Sequence, residues 1–167
     1  TVNVSEARGT VWNGSGELAI AQRRTAYYVG QVAWQIQPLW LLVGRLRLNM
    51  SAKGDAIDLS GRLSLGITNV RVEELDATFP ASNVGHFHAA AGFAQPTGQL
   101  RVKSSLFEVQ RGALHGEATL DWDGAGSRFF KLERVGDYRL EIKGHGATAD
   151  LALGTARGDL QLTGQGQ

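Results

Sequence analysis

The 167-residue chain has no cysteine. A disulfide framework and a thiolate metal site are both excluded. Charge of one sign is also missing, because 17 basic residues face 16 acidic ones. No nucleic-acid surface and no polybasic membrane patch is expected. No apolar run approaches the ~18 residues that a bilayer-spanning helix needs. The longest candidate, "IQPLWLLVG" from Ile36 to Gly44, is too short. There is no signal peptide, and the opening "TVNVSE" already alternates like a strand. The chain is therefore expected to be the soluble part of something longer.

What is abundant is glycine, with 22 residues spread along the whole chain, against about 7% on average. That spread fits many turns between many short strands. Period-two alternation dominates. The apolar set Ile57, Leu59, Leu63, Leu65 and Ile67 interleaves with Asp58, Ser60, Arg62, Ser64 and Thr68. Leu114, Ala118, Leu120 and Trp122 alternate with His115, Glu117, Thr119 and Asp121. Tyr138, Leu140 and Ile142 do the same against Arg139, Glu141 and Lys143. Successive strand side chains point to opposite faces, so each segment has one greasy and one wet face.

These segments predict one all-β domain over residues 1–167, with about ten to twelve strands. Parallel strands covered on both sides would read as continuous apolar runs, so the sheet is expected to be mostly antiparallel. Helical spacing appears only in "PLWLLV" (Pro38–Val43) and in "PASNVGHFHAAAG" (Pro80–Gly92). One or two short helices cannot cover so large an apolar face. A single strongly bent sheet is expected instead: a half-barrel, a taco or a sandwich. A Gly-x-Leu-x-apolar element recurs at Gly16, Gly44, Gly61, Gly98 and Gly158. It reads as a repeated strand-entry device at irregular spacing rather than a solenoid repeat.

Candidate chemistry is sparse. His86 and His88 have metal-like spacing, but a third ligand is missing nearby. Asp121 and Asp123 share a wet face, and Asp123 before Gly124 is ordinary turn chemistry. No Gly-x-Ser-x-Gly elbow and no phosphate loop occurs. No catalytic residue, metal or cofactor is expected. Arg23 and Arg24 beside Tyr27 and Tyr28 read as a hairpin tip.

Trp12, Trp34 and Trp122 fall on the apolar phase and are expected to fill the core. Trp12 and Trp122 each precede a Gly-x-Gly element, in "GTVWNGSGEL" and "LDWDGAGSRF". Both elements read as corners where a strand ends. Trp40 lies in an apolar run too dense to point inward as a whole. It is expected either to plug one end of the bent sheet or to belong to an exposed patch. Pro38, Leu39, Trp40, Leu41 and Leu42 are therefore the candidate partner contacts.

"GTVWNGSGEL", followed by "VAWQIQPLWLLVGRL" (Val32–Leu46), resembles the type II secretion system protein N (GspN) family. Further landmarks follow in order, including "VEELDATFPASNV", "GEATLDWDGA" and "GTARGDLQLTGQG". The resemblance spans nearly the whole chain. It implies the periplasmic domain of a bacterial inner-membrane protein, held there by an N-terminal helix that is absent here. It implies a scaffold role in the inner-membrane platform, contacts with other platform subunits and the secretin, and no catalysis. It brings no active-site residues. A looser architectural likeness to AsmA-type β-tacos raises an alternative, in which the apolar inner face binds lipid or an acyl chain. An adhesion or carbohydrate-binding module fits less well, because its aromatics would need to stand on the wet phase.

Overall fold

The computed structural model describes residues 2–22, 25–86, 93–158 and 160–166. It forms one sheet of eleven strands in sequence order. These are β1 (Val2–Gly9), β2 (Asn13–Gln22), β3 (Thr25–Ile36), β4 (Leu46–Gly54), β5 (Ile57–Leu65) and β6 (Asn69–Pro80). There follow β7 (Pro96–Gln110), β8 (Ala113–Ser127), β9 (Leu132–Gly146), β10 (Ala149–Gly158) and β11 (Gly164–Gly166). Every neighbouring pair is antiparallel, and the sheet does not close, since β1 and β11 are its two edges. Two 3₁₀ helices lie among the described residues, Pro38–Val43 against β4 and Ala81–His86 against β7.

The alternation works as expected in the register. Leu48 opposes Leu63, Leu63 opposes Val72, and Val72 opposes Phe107. Leu120 opposes Val102 on one side and Leu140 on the other. One apolar face therefore runs from β3 to β10. The opposite face carries ion pairs across the ladder. Arg47 and Glu73 meet at 3.2 Å, Arg71 and Glu108 at 2.7 Å, and Arg139 and Asp121 at 2.6 Å.

Bulges keep the apolar face continuous. In β6 the apolar residues are Val70 and Val72, and then Leu75, Ala77 and Phe79. The phase slips by one residue at Glu74, which adopts φ +53° and whose side chain is 75% exposed. Opposite it, β7 slips in the same place, where Ser104 and Ser105 face the single residue Ala118. The Ser104 hydroxyl donates to the Glu117 carbonyl at 2.6 Å, so this buried polar group is satisfied. An extra residue bends the strand it sits in, and it would turn every following side chain over unless the pattern slipped too.

The apolar face is not filled. Among the described residues the buried apolar side chains are Ala52, Ala77, Ala81, Leu100, Ala125 and Tyr138, and no large side chain is fully buried. Four of those six are alanine. Leu, Val, Trp and Phe on this face are mostly half-buried beside their strand neighbours.

Three expectations need correction. Trp12 does not fill a core, being 46% exposed in the bend between β1 and β2. Its carbonyl accepts the Ile36 amide at 2.7 Å, which ties the bend to β3. The corner is packed by Trp34, whose ring occupies the space that a Cβ on Gly14 would need. The Trp34 indole donates to the Val11 carbonyl at 3.1 Å. Second, both Gly-x-Gly elements lie inside strands, Gly14–Gly16 in β2 and Gly124–Gly126 in β8. At Gly124 the register slips, because Asp123 and Gly124 together face Asp137. The Asp137 carboxylate accepts the Gly124 amide at 2.7 Å and so stabilises a bulge where a turn was expected. Third, Ile67 stands outside β5 and is 91% exposed. The Gly66 amide donates to the Asn69 carbonyl at 2.8 Å, which starts the turn one residue earlier.

Candidate interaction surface

Pro38 opens the 3₁₀ helix, where its missing N–H costs nothing. Gly44 ends it in the left-handed region at φ +69°. The Gly44 amide donates to Leu41 at 3.0 Å and the Arg45 amide to Trp40 at 2.9 Å. The Gln37 amide donates to the Arg47 carbonyl at 2.9 Å, which anchors the entry to β4. This short segment is therefore held at both ends.

Five apolar side chains on six residues cannot all turn inward. Trp40 is half-buried, with the Arg47 guanidinium 5.2 Å from its ring centroid. Arg47 belongs to the polar face, so Trp40 lies over that face and does not plug the apolar one. Leu39, Leu42 and Val43 are left 77%, 84% and 66% exposed, and Leu41 is exposed to a lesser degree. Pro38 is exposed as well. Ile67 lies beside Gly44. Val11 and Trp12, both exposed, sit in the β1–β2 bend at the same end of the sheet. Sequence reasoning missed Ile67, Val11 and Trp12 as members of this patch. The first looked like strand and the last like core.

A polar recess of about 350 Å³ adjoins the helix, lined by Trp40, Arg45, Arg47, Asn69, Arg71, Glu73 and Glu108 among others. Glu73 meets Arg47, Arg62 and Arg71 at 3.2, 3.6 and 3.8 Å. Hydrogen bonds from Asn69 and then Arg71 hold the Glu108 carboxyl below its ordinary range. The Nε of Arg47 is buried with no partner. Arg45 is exposed and makes no ion pair among the described residues.

Among the described residues no three His, Cys, Asp or Glu side chains gather to hold a metal. Asp121 is occupied by Arg139. His86 ends the second 3₁₀ helix, while His88, Arg23 and Arg24 lie outside the described residues.

The family model for the type II secretion system (T2SS), protein N, matches residues 1–167, the whole chain. The chain belongs to the type II secretion system protein N family. Its role therefore lies in type II secretion, alongside the other components of that machine. No curated protein and no solved structure matches it significantly. Among the described residues no helix is long and apolar enough to cross a membrane.

Proposed function

We propose that this protein N family member is a non-enzymatic scaffold subunit of the secretion platform, periplasmic and working at the inner membrane. Its Pro38–Val43 helix and the neighbouring Ile67 engage another secretion subunit. The observation that carries this reading is the exposure of Leu39, Leu42 and Val43 on a segment capped at Gly44 and anchored at its start by the Gln37 amide on the Arg47 carbonyl. A rigid, apolar, solvent-facing patch with a Trp beside it has the composition of an interface centre. Prepaid ordering of the backbone also lowers the entropic cost of association.

The test is photocrosslinking in secreting cells, with the reactive group placed at Leu42 of the full-length protein. A platform subunit or the secretin is the expected product. The same group at Ser60, on the polar face of β5, is the control. If Leu42 and Ser60 give the same products and neither includes a secretion subunit, the scaffold reading at this surface is wrong.

A second reading rests on the apolar face, which has no large fully buried side chain. An acyl chain lying along it would cover surface that the protein itself leaves in water. Native mass spectrometry of the gently extracted protein tests this. A co-purifying lipid that is displaced by Leu120→Asp supports the reading, and a lipid-free protein refutes it.

A further inference from the structure

A second apolar cluster lies at the opposite end of the sheet from the Pro38 helix. The turn Arg128–Lys131 joins β8 to β9, and Phe129 and Phe130 sit at its centre. Phe93, just before β7, leans on it. The Phe93 and Phe129 ring centroids are 4.2 Å apart, and those of Phe129 and Phe130 are 5.0 Å apart. The three rings touch, yet they remain 62%, 47% and 59% exposed. Leu132, next along, is 48% exposed. This is not a small core under a loop but a greasy tip facing water.

Two further properties narrow its occupant. The first is charge. Arg128 and Lys131 bracket the two phenyl groups, are exposed, and make no ion pair among the described residues. Residues 87–92, which precede Phe93, include no carboxylate that could neutralise them. The nearby Arg134 is different, because Asp137 holds it at 3.1 Å. Glu133 is the one acidic residue between Arg128 and Arg134, against three basic ones.

The second is the backbone. The Arg128 amide donates to Gln95, the Lys131 amide to Arg128 and the Phe130 amide to the Ser127 hydroxyl. The Ser127 hydroxyl in turn donates to the Ala94 carbonyl. Three of the four amides of the turn are thus already bonded, which lowers the cost of entering a medium without water. The three rings offer only hydrocarbon, and the two cations beside them, unpaired among the described residues, call for anionic groups. Hydrocarbon flanked by anionic groups fits them, and the interface of an anionic bilayer offers both.

We propose that the β8–β9 tip, with Phe93, Phe129 and Phe130 as the inserting side chains and Arg128 and Lys131 as the headgroup contacts, docks onto a lipid surface carrying anionic headgroups. The proposal is independent of the partner surface at the other end. Each cation near such a surface strengthens binding about fivefold, so the pair contributes about 25-fold, and salt screens it.

The experiment is co-sedimentation of the 167-residue chain with phosphatidylcholine vesicles, with and without about one third phosphatidylglycerol. Binding to the anionic vesicles only is expected, weakening as salt is raised. The double variant Phe129→Ser with Phe130→Ser should lose at least about tenfold in partitioning. Arg128→Gln with Lys131→Gln keeps all three rings and should lose about 25-fold at low salt. Far-UV circular dichroism checks that both variants keep the wild-type strand content, and the charge variant tests the idea even where the phenyl variant misfolds. Equal binding to neutral and anionic vesicles overturns the proposal. So does binding that both variants retain, which would move the contact to another surface such as the open apolar face. A wild-type chain that binds no vesicles overturns it as well, including the case where the tip crosslinks to a protein instead.

Discussion

Three glycine-to-alanine changes separate the two reasons a sheet like this one needs glycine. Gly116 lies in β8 at φ +104°, and a Cβ there would overlap the Leu106 carbonyl oxygen. That carbonyl belongs to the strand that bulges at Ser104 and Ser105. Gly112 lies in the β7–β8 turn at φ +85°, with nothing near the position of a Cβ. Gly154, in β10, has neither a positive φ nor a close neighbour. A left-handed backbone costs an L-residue about 1–2 kcal/mol, so Gly112→Ala should destabilise by that much. Gly116→Ala bears the same strain and must also push apart two hydrogen-bonded strands. Overpacking adds about 1–3 kcal/mol, giving a total near 3 kcal/mol. Gly154→Ala should be neutral or stabilise by about 0.5 kcal/mol, since it removes freedom from the unfolded chain only. Urea unfolding followed by circular dichroism reads all three. With a slope of about 2 kcal/mol per M, the Gly116 variant should lose about 1.5 M in midpoint and the Gly112 variant about half of that. Equal losses at Gly112 and Gly116 would refute the close approach of β7 and β8. A loss above about 1 kcal/mol at Gly154 would mean that β10 is packed on a face the structure leaves open.

Other expectations are shorter. Arg111 is a non-glycine residue at φ +48° in the two-residue β7–β8 turn, and Arg111→Asn should stabilise by about 0.5–1 kcal/mol in the same urea assay, because asparagine tolerates that region. The Asp137 carboxyl is held below its ordinary range, first by the Gly124 amide and then by Arg134, and Glu108 is lowered by Asn69 and Arg71. A lowered folded-state value means stability that is complete above the unfolded carboxylate range and is lost as the pH falls below about 4. Unfolding midpoints should drop over that window, and Asp137→Asn should flatten the slope there. Tyr138→Phe removes the hydroxyl that donates to the Leu160 carbonyl at 3.2 Å and should cost about 1 kcal/mol, read as a lower melting temperature. Leu39→Ser with Leu42→Ser should change stability by less than about 0.5 kcal/mol at each of these exposed sites, while reducing recovery of secretion subunits from crosslinked cells.

Most of the fold was legible because its driving pattern is local. Alternation at Ile57–Leu65 or Tyr138–Ile142 needs no knowledge of the rest of the chain. The short turns at Asp55–Ala56 and Arg111–Gly112 then force neighbours in sequence to pair. The exposure of the Pro38–Val43 segment was legible for a similar reason, since too many apolar residues lie on too short a helix. What the pattern could not convey was depth. A half-buried leucine on an open sheet and a buried one in a closed barrel alternate identically, so the unfilled face had no signature. Trp12 and Trp34 likewise share the apolar phase. Only the Ile36 amide on the Trp12 carbonyl, and the bare Cα of Gly14 under the Trp34 ring, decide which one packs the corner. The aromatic tip escaped notice because Phe93 and Phe129 meet across a long stretch of chain.

The paired slips in β6 and β7 bear on what the apolar face is for. Without the bulge at Glu74, strict alternation from Val72 would have turned Leu75 outward and placed Glu74 and Asp76 inward along the rest of β6. Instead the alternation changes phase at Glu74, and β7 changes phase opposite it, so that Ala77 still meets Val102 and Phe79 still meets Leu100. The apolar face is thus unbroken across a strand irregularity that would otherwise have interrupted it. Continuity of that kind already lets neighbouring side chains half-bury one another, but it leaves the outer half of each in water. The remainder gains about 25 cal/mol for each Å² withdrawn from water once something lies over it. The small residues Ala52, Ala77 and Ala125 are among the most buried on the sheet, and a shallow interior of that kind suits the proposed acyl occupant better than one bulky side chain. An alkyl chain meets that requirement without needing a hydrogen bond. For that reason the lipid reading of the face and the scaffold reading of the Pro38 helix draw on different surfaces and can both hold.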